Sequence, residues 1–248
     1  MTQPHELAAR IKRRSVIKDP TSDAFYASGN KAATILAGRI ELHFGPDPEL
    51  DILDFGCGSG RVLLPLARLL PRCRFSGNDV DAEAVSYLSC VAPTNCRAEA
   101  NLYNPPLSYH KGSFDCIFAV SVWSHFPEDA ALAWMREMKR LLKPGGLLLA
   151  SVGGSATLKA WQKTCVQWKQ ITEEDMLREG YVYREFVNLN TSPELFPGIA
   201  GTGSWGNTLL HADYINRVWG PILQVLAIEE AAMPGGQDLV TLRRATGT

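Results

Sequence analysis

The chain has 248 residues, of which 46% are hydrophobic and 21% charged, a balance close to that of an ordinary folded protein and far from a disordered one. At this length one large domain or two small ones bury a core without help from disulfides or a structural metal. Its 25 basic and 26 acidic residues leave a net charge of −1, which argues against a protein whose main task is gripping a phosphate backbone, and no apolar run is long enough to cross a membrane.

The opening MTQPHELAARIKRR is basic but leads into IKDPTSD rather than an apolar stretch, so no signal peptide is expected. Residues 1–45 read as helices that precede a sheet, and the cluster Arg10, Lys12, Arg13, Arg14 and Lys18 reads as an exposed helix face. Asp51 to Phe55 reads as a first strand, Gly56 to Gly60 as a turn, and Arg61 to Leu70 as a helix stopped by Pro71. Cys73 to Asn78 is a second strand, about Ala82 to Cys90 a helix, and Cys96 to Ala100 a weaker third strand. Phe114 to Val120 is a buried strand. Glu128 to Leu142 is a helix, with Pro127 at its start and Lys139, Arg140 and Lys143 near its end. Pro144-Gly145-Gly146 breaks it before the strand Leu147 to Val152. Residues 153–206 read as irregular, although Trp161 and Trp168, seven apart, would share a helix face. Two closing strands, about Leu223–Glu230 and Asp238–Arg243, are joined through Met233-Pro234-Gly235-Gly236.

Strands alternating with helices predict a parallel sheet built from βαβ units, with no internal repeat and no low-complexity linker. The six cysteines form no C-x-x-C pair, and no histidine completes a zinc spacing, so no metal is expected. Reduced thiols in a cytoplasmic protein are the simplest reading.

The chemistry concentrates in Asp54-Phe55-Gly56-Cys57-Gly58-Ser59-Gly60. A glycine-rich turn after the first strand of an open α/β sheet lies at the carboxyl edge, where such folds bind ligands. A dinucleotide fingerprint would need its third glycine at position 61, which is Arg61; the spacing here is G-x-G-x-G. Asp79 closes the second strand, where a carboxylate can accept from both hydroxyls of a ribose. A turn or cap role beside Asp81 competes for Asp79, and orientation of loop amides competes for Asp54.

Together with this loop, the segments ILDFGCGSGRV, FSGNDVDAEAV, SFDCIFAVSVWSH, MREMKRLLKPGGLLLAS and the closing LQVLAIEE…QDLVTLRR resemble the class I S-adenosylmethionine-dependent methyltransferases. The resemblance implies an α/β, Rossmann-like, seven-stranded sheet, mostly parallel with a C-terminal antiparallel strand and helices on both faces. It also implies one domain over 1–248: a helical cap (1–45), a cofactor-binding core (46–152), an acceptor-covering region (153–220) and a terminal strand pair (221–248). S-adenosylmethionine is the implied cofactor. Gly56, Gly58 and Gly60 would face its methionine part, Asp79 its ribose and Val80 its adenine. Asn101, followed by Leu102, is the implied partner of the adenine amino group, with Glu99 the competing candidate. Ser121 would offer its backbone near the sulfonium, and Tyr26 and Ser28 lie in a segment that closes over the cofactor in some relatives.

Asn104-Pro105-Pro106-Leu107 looks like the N-P-P-aromatic motif of amino-group methyltransferases. Its fourth residue is not aromatic and it precedes the fourth strand instead of following it, so it reads as a loop. His125, four residues past Ser121, is the candidate base, with bracing of its loop as the alternative. Trp123, Trp205 in a glycine-rich run, and His211 at the start of a late helix are candidate acceptor contacts. The expected activity is methyl transfer to an oxygen or nitrogen of a small molecule, such as a natural-product intermediate. A peptide or protein side chain is the alternative acceptor. A cofactor-binding module without chemistry and a nicotinamide-dependent oxidoreductase are less favoured, and neither nucleic acid nor membrane is an expected partner.

Overall fold

The computed structural model describes residues 3–6, 8, 9, 21–187 and 205–247, with the side chains of 186 and 187 left aside. The basic cluster from Arg10 to Lys18 and the run Gly201 to Ser204 therefore lie outside the described residues.

Seven strands form one sheet in the order β3-β2-β1-β4-β5-β9-β8. They are β1 (Asp51–Phe55), β2 (Arg74–Asp79), β3 (Cys96–Ala100), β4 (Phe114–Ala119), β5 (Leu142–Val152), β8 (Gln224–Met233) and β9 (Gln237–Arg243). The first five pair in parallel, and β9 runs antiparallel between β5 and β8. This is the Rossmann-like arrangement expected. Strand order reverses between β1 and β4, and that switch point opens a crevice beyond the strands' carboxyl ends.

Alternation along the strands sorts two cores. Ile52, Cys116, Phe118, Leu147, Leu149 and Leu239 face α1 (Asp23–Phe44), α2 (Leu63–Leu69) and α3 (Ala82–Val91). Leu53, Phe55, Ile117, Ala119, Leu148 and Val240 face α4 (Glu128–Leu141) and the helical turns of 212–219. Helix α1 starts at Ser22, whose hydroxyl accepts from the Phe25 N–H at 3.2 Å, and carries Asp23 in its first turn. It buries Leu36 and Ile40 completely, each worth about 1.5–3 kcal/mol of apolar transfer.

Two expectations need correction. Strand β5 begins at Leu142, not Leu147, because Phe114 already pairs with Leu142; a register shift then absorbs Pro144-Gly145-Gly146. Gly145 donates to the Arg244 carbonyl and Arg244 back to the Gly146 carbonyl, so these glycines join the sheet instead of interrupting it.

Nor is 153–206 simply irregular. Its described part holds α5 (Ser155–Thr164), a 3₁₀ turn (Val166–Trp168), α6 (Glu173–Glu179) and β6 (Tyr181–Val187). Strand β6 pairs antiparallel with β7 (Trp205–Leu210) in a second, two-stranded sheet. A capping box between Thr172 and Asp175 starts α6 and Gly180, at φ 75°, ends it. Leu158, Trp168, Met176, Val182 and Leu209 give this region its own small core. Trp161 and Trp168 do meet, with ring centroids 5.1 Å apart, but from different elements and not from one helix face.

Candidate active site at the switch point

The glycine loop after β1 is tied to the end of β2. The Gly56 and Cys57 amides both donate to the Asn78 carbonyl, at 2.9 and 3.0 Å. The Gly58 amide donates to Asp79 Oδ2 at 2.8 Å. Three glycines are present for two different reasons. A Cβ on Gly56 would stand 2.5 Å from Val122 Cγ2, and one on Gly60 would stand 2.6 Å from Leu88 Cδ1, so these two let protein pack closely. At Gly58, φ is 50° and a Cβ would meet only Asp79 Oδ2, at 4.0 Å. Gly58 is thus the glycine that leaves an open approach to the loop's backbone, whereas the resemblance assigned that task to all three.

The carboxylates differ sharply. Asp79 accepts from Gly58 and, through Oδ1, from the Asp81 amide at 2.8 Å, so it locks the loop to the strand end. Asp54 is only 3% exposed and accepts no hydrogen bond from any described residue, which removes the loop-orienting role weighed for it. Burial, reinforced by the neighbouring Asp79 and only partly offset by Arg61, holds its pKa well above the usual carboxylate value. Arg61 is itself largely buried and donates to Ser28 Oγ at 3.3 Å. A Cβ on Gly29 would lie 2.1 Å from the Arg61 carbonyl oxygen, so the start of α1 rests directly on the end of the loop. Tyr26, one turn earlier, is 51% exposed and packs edge-on against Phe25.

Asn101 is brought beside Asp79, its amide donating to the Asp79 carbonyl at 3.0 Å. Its side-chain oxygen already accepts from Asn78 Nδ2 at 3.0 Å, so an adenine amino group would have to share that oxygen. The competing Glu99 accepts from Ser108 Oγ at 2.6 Å. Leu102 is 79% exposed next to them, and Val80 is partly buried against the larger core.

Beyond β4, Ser121 adopts φ 63°. Its amide donates to Ser151 Oγ at 2.7 Å and its hydroxyl to Gln237 Oε1 at 3.0 Å. His125 follows, half-buried, with Nδ1 2.8 Å from the Gly206 carbonyl and its ring stacked on Trp205 at 4.9 Å. A carbonyl only accepts, so Nδ1 carries the proton and, in the neutral ring, Nε2 is the basic nitrogen. The brace and the base therefore use different nitrogens.

One candidate acceptor contact is sealed inside the core and another caps a turn. Trp123 is wholly buried, its indole N–H donating to the Ala131 carbonyl and its ring packed among Phe55, Phe126 and Trp219, so it presents no surface to an acceptor. His211 caps the turn Ala212–Tyr214, with Nδ1 accepting from the Asp213 amide at 3.2 Å. Sequence reasoning gave no role to Arg61, Ser151 or Gln237, although all three lie in the segments that carry the resemblance; only the fold brings their side chains to this edge.

A family profile described as "Methyltransferase domain" matches residues 52–146, the span that carries the loop, Asp79 and Ser121. The 2-methyl-6-phytyl-1,4-hydroquinone methyltransferase of Synechocystis is 30% identical over 188 residues, covering 71% of this chain and 56% of that protein. Residues 52–146 form a methyltransferase domain of the class I S-adenosylmethionine-dependent kind. A second relative is the ubiquinone biosynthesis O-methyltransferase of a Caulobacter strain. It is 29% identical over 187 residues, covering 67% of this chain and 66% of that protein. The chain thus spans between half and two thirds of these curated relatives. Among solved structures, the 1,6-didemethyltoxoflavin-N1-methyltransferase of Burkholderia thailandensis superposes with a TM-score of 0.61 at 15% identity, over 99% of this chain and 92% of that one. At that identity the likeness is one of fold. Among the described residues, no helix of this chain is long and apolar enough to cross a membrane.

Proposed function

We propose that this chain is an enzyme that transfers a methyl group from S-adenosylmethionine to an oxygen or nitrogen of a small molecule. The observation that carries the reading is Asp54: a buried carboxylate with no described donor, under an open glycine backbone and beside Asp79. Such a site is destabilised until a cation neutralises it, and S-adenosylmethionine brings both an ammonium and a sulfonium. Asp79, held by Gly58 and Asp81, would present its carboxylate to a ribose diol. Asn101 and Leu102 would meet the adenine, and Ser28 on α1, which meets Arg61 at the end of the loop, would close over the cofactor with the exposed Tyr26.

When bound, the cofactor supplies the methyl electrophile. The chain supplies alignment, exclusion of water and a place for the proton. Ser121, with its N–H already used, offers its carbonyl to the cofactor's methionine end. His125 Nε2 takes the proton of an acceptor hydroxyl, while Nδ1 stays fixed on Gly206. Trp205, stacked on His125, closes the acceptor side. The hydroquinone methyltransferase supports a small-molecule acceptor, and the ubiquinone biosynthesis O-methyltransferase supports an acceptor oxygen.

Calorimetry with S-adenosylhomocysteine and with NAD tests the cofactor: binding of the first and not the second is expected, and the reverse sinks the proposal. Labelled S-adenosylmethionine incubated with a panel of hydroquinones and phenols tests the chemistry, with label expected on at least one acceptor oxygen.

A further inference from the structure

A side chain disfavours the left-handed φ of 63° at Ser121, and such a conformation persists only where its surroundings enforce it. Here the enforcement comes from two other strands. Ser151, near the end of β5, accepts the Ser121 amide proton at 2.7 Å and donates its hydroxyl to Gln237 Oε1 at 2.8 Å. Gln237, the first residue of β9, accepts the Ser121 hydroxyl on the same oxygen at 3.0 Å. Ser151 is fully buried, so Gln237 Oε1 is the described acceptor for its proton; that fixes the direction of the Gln237 amide.

These polar groups lie on the sheet face that carries Phe118, Leu149, Leu239 and Met233. Burying a hydroxyl and an amide there is unfavourable unless the bonds they make achieve something packing cannot. What they hold is the N–H of the Val120–Ser121 peptide and the Ser121 side chain, at the residue that leads directly into Val122, which is laid against Gly56. The wall of the crevice opposite the glycine loop is thus set by a network reaching across β4, β5 and β9.

We propose that Ser151 and Gln237 are positioning residues for the cofactor, acting by holding Ser121 in its left-handed conformation. This rests on the crevice being the S-adenosylmethionine site. Glycine adopts φ near 60° unaided, which supplies a readout that a merely structural role would not move.

The experiment measures S-adenosylhomocysteine affinity by calorimetry for the wild type, Ser151→Ala, Gln237→Leu, and Gln237→Leu combined with Ser121→Gly. Each single variant is expected to weaken binding about tenfold, the order set by one unsupported left-handed residue. The added Ser121→Gly is expected to restore most of that loss although the network is still broken. Thermal midpoints without ligand report folding separately, and Ser151→Ala carries the test if Gln237→Leu does not fold. Wild-type affinity in the single variants, or a loss that glycine does not restore, overturns the proposal. A wild type that binds no S-adenosylhomocysteine overturns the site reading and this inference with it.

Discussion

At Asp79 two amide donors already hold the carboxylate in the position from which it would grip a ribose. Asp79→Ala should therefore lose both the ligand's charge-assisted bonds and the anchor of Gly58. A loss on the order of 1.5–3 kcal/mol in S-adenosylhomocysteine affinity is expected by calorimetry, and an unchanged affinity in a folded variant would refute the assignment. Asp54 works in the opposite sense. Its folded pKa is raised, so it stabilises the fold below its unfolded pKa and loses that contribution as pH rises through the folded value. Above its unfolded pKa the buried group therefore costs stability when no ligand cation is present. Asp54→Asn should accordingly raise the thermal midpoint, by about 2–4 °C for each kcal/mol relieved, while weakening S-adenosylmethionine binding. A lowered midpoint with intact binding would contradict both halves. At His125, asparagine can place an amide N–H where Nδ1 now reaches Gly206 but offers nothing at the position of Nε2. His125→Asn should keep stability and cofactor affinity yet lower turnover about 100-fold; a joint fall of all three would reduce the histidine to a brace.

At the scale of elements, the two edges of the sheet have different jobs. The carboxyl edge carries the crevice, and the amino edge carries charge pairs. Asp51 at the start of β1 accepts from Arg74 Nε at 2.8 Å and from Lys143 Nζ at 3.2 Å, and Lys143 also meets Asp115 at 2.7 Å. The Arg74 bond foremost, and Lys143 after it, hold the Asp51 carboxyl below its ordinary value of 3.8 against an opposing effect of burial. Such a group stabilises the fold above its unfolded pKa, and the contribution disappears as pH falls through the lower folded value. Partly exposed pairs of this kind are worth about 1 kcal/mol or less. Asp51→Asn should therefore lower the midpoint slightly at neutral pH and make its fall below pH ~4 shallower; an identical acid limb would remove Asp51 from that balance.

The elements also explain what the sequence could and could not convey. The strand-loop-helix around Gly56–Gly60 was legible because glycine spacing and strand periodicity are local. Strand β6 and helix α6 were not, since their apolar residues complete a core only with Trp168 and Leu209 from elsewhere in the chain. Asn101 follows β3 as the strand pattern expects, but its commitment to Asn78 depends on the pairing of β2 with β3. Trp123 looked available because sequence does not reveal that the turn after β4 folds its indole back onto α4.

For the whole molecule, the cofactor crevice and the region expected to cover the acceptor are sewn together along one seam. Strand β7 runs beside 124–126: the Gly206 amide donates to the His125 carbonyl at 3.3 Å and the Thr208 amide to the Ser124 carbonyl at 2.8 Å. The Phe126 carbonyl takes Thr208 Oγ1 at 2.6 Å and the Tyr181 hydroxyl at 2.8 Å. A buried backbone so paired cannot separate without leaving donors and acceptors unmet. For protein engineering, this makes the loop after β4 and the two-stranded sheet a single cassette. Exchanging acceptor preference with a relative by grafting residues 122–126 alone would strand the carbonyls that β6 and β7 now satisfy; the transplant has to carry both pieces, cut where the chain enters β6 and where it leaves β7.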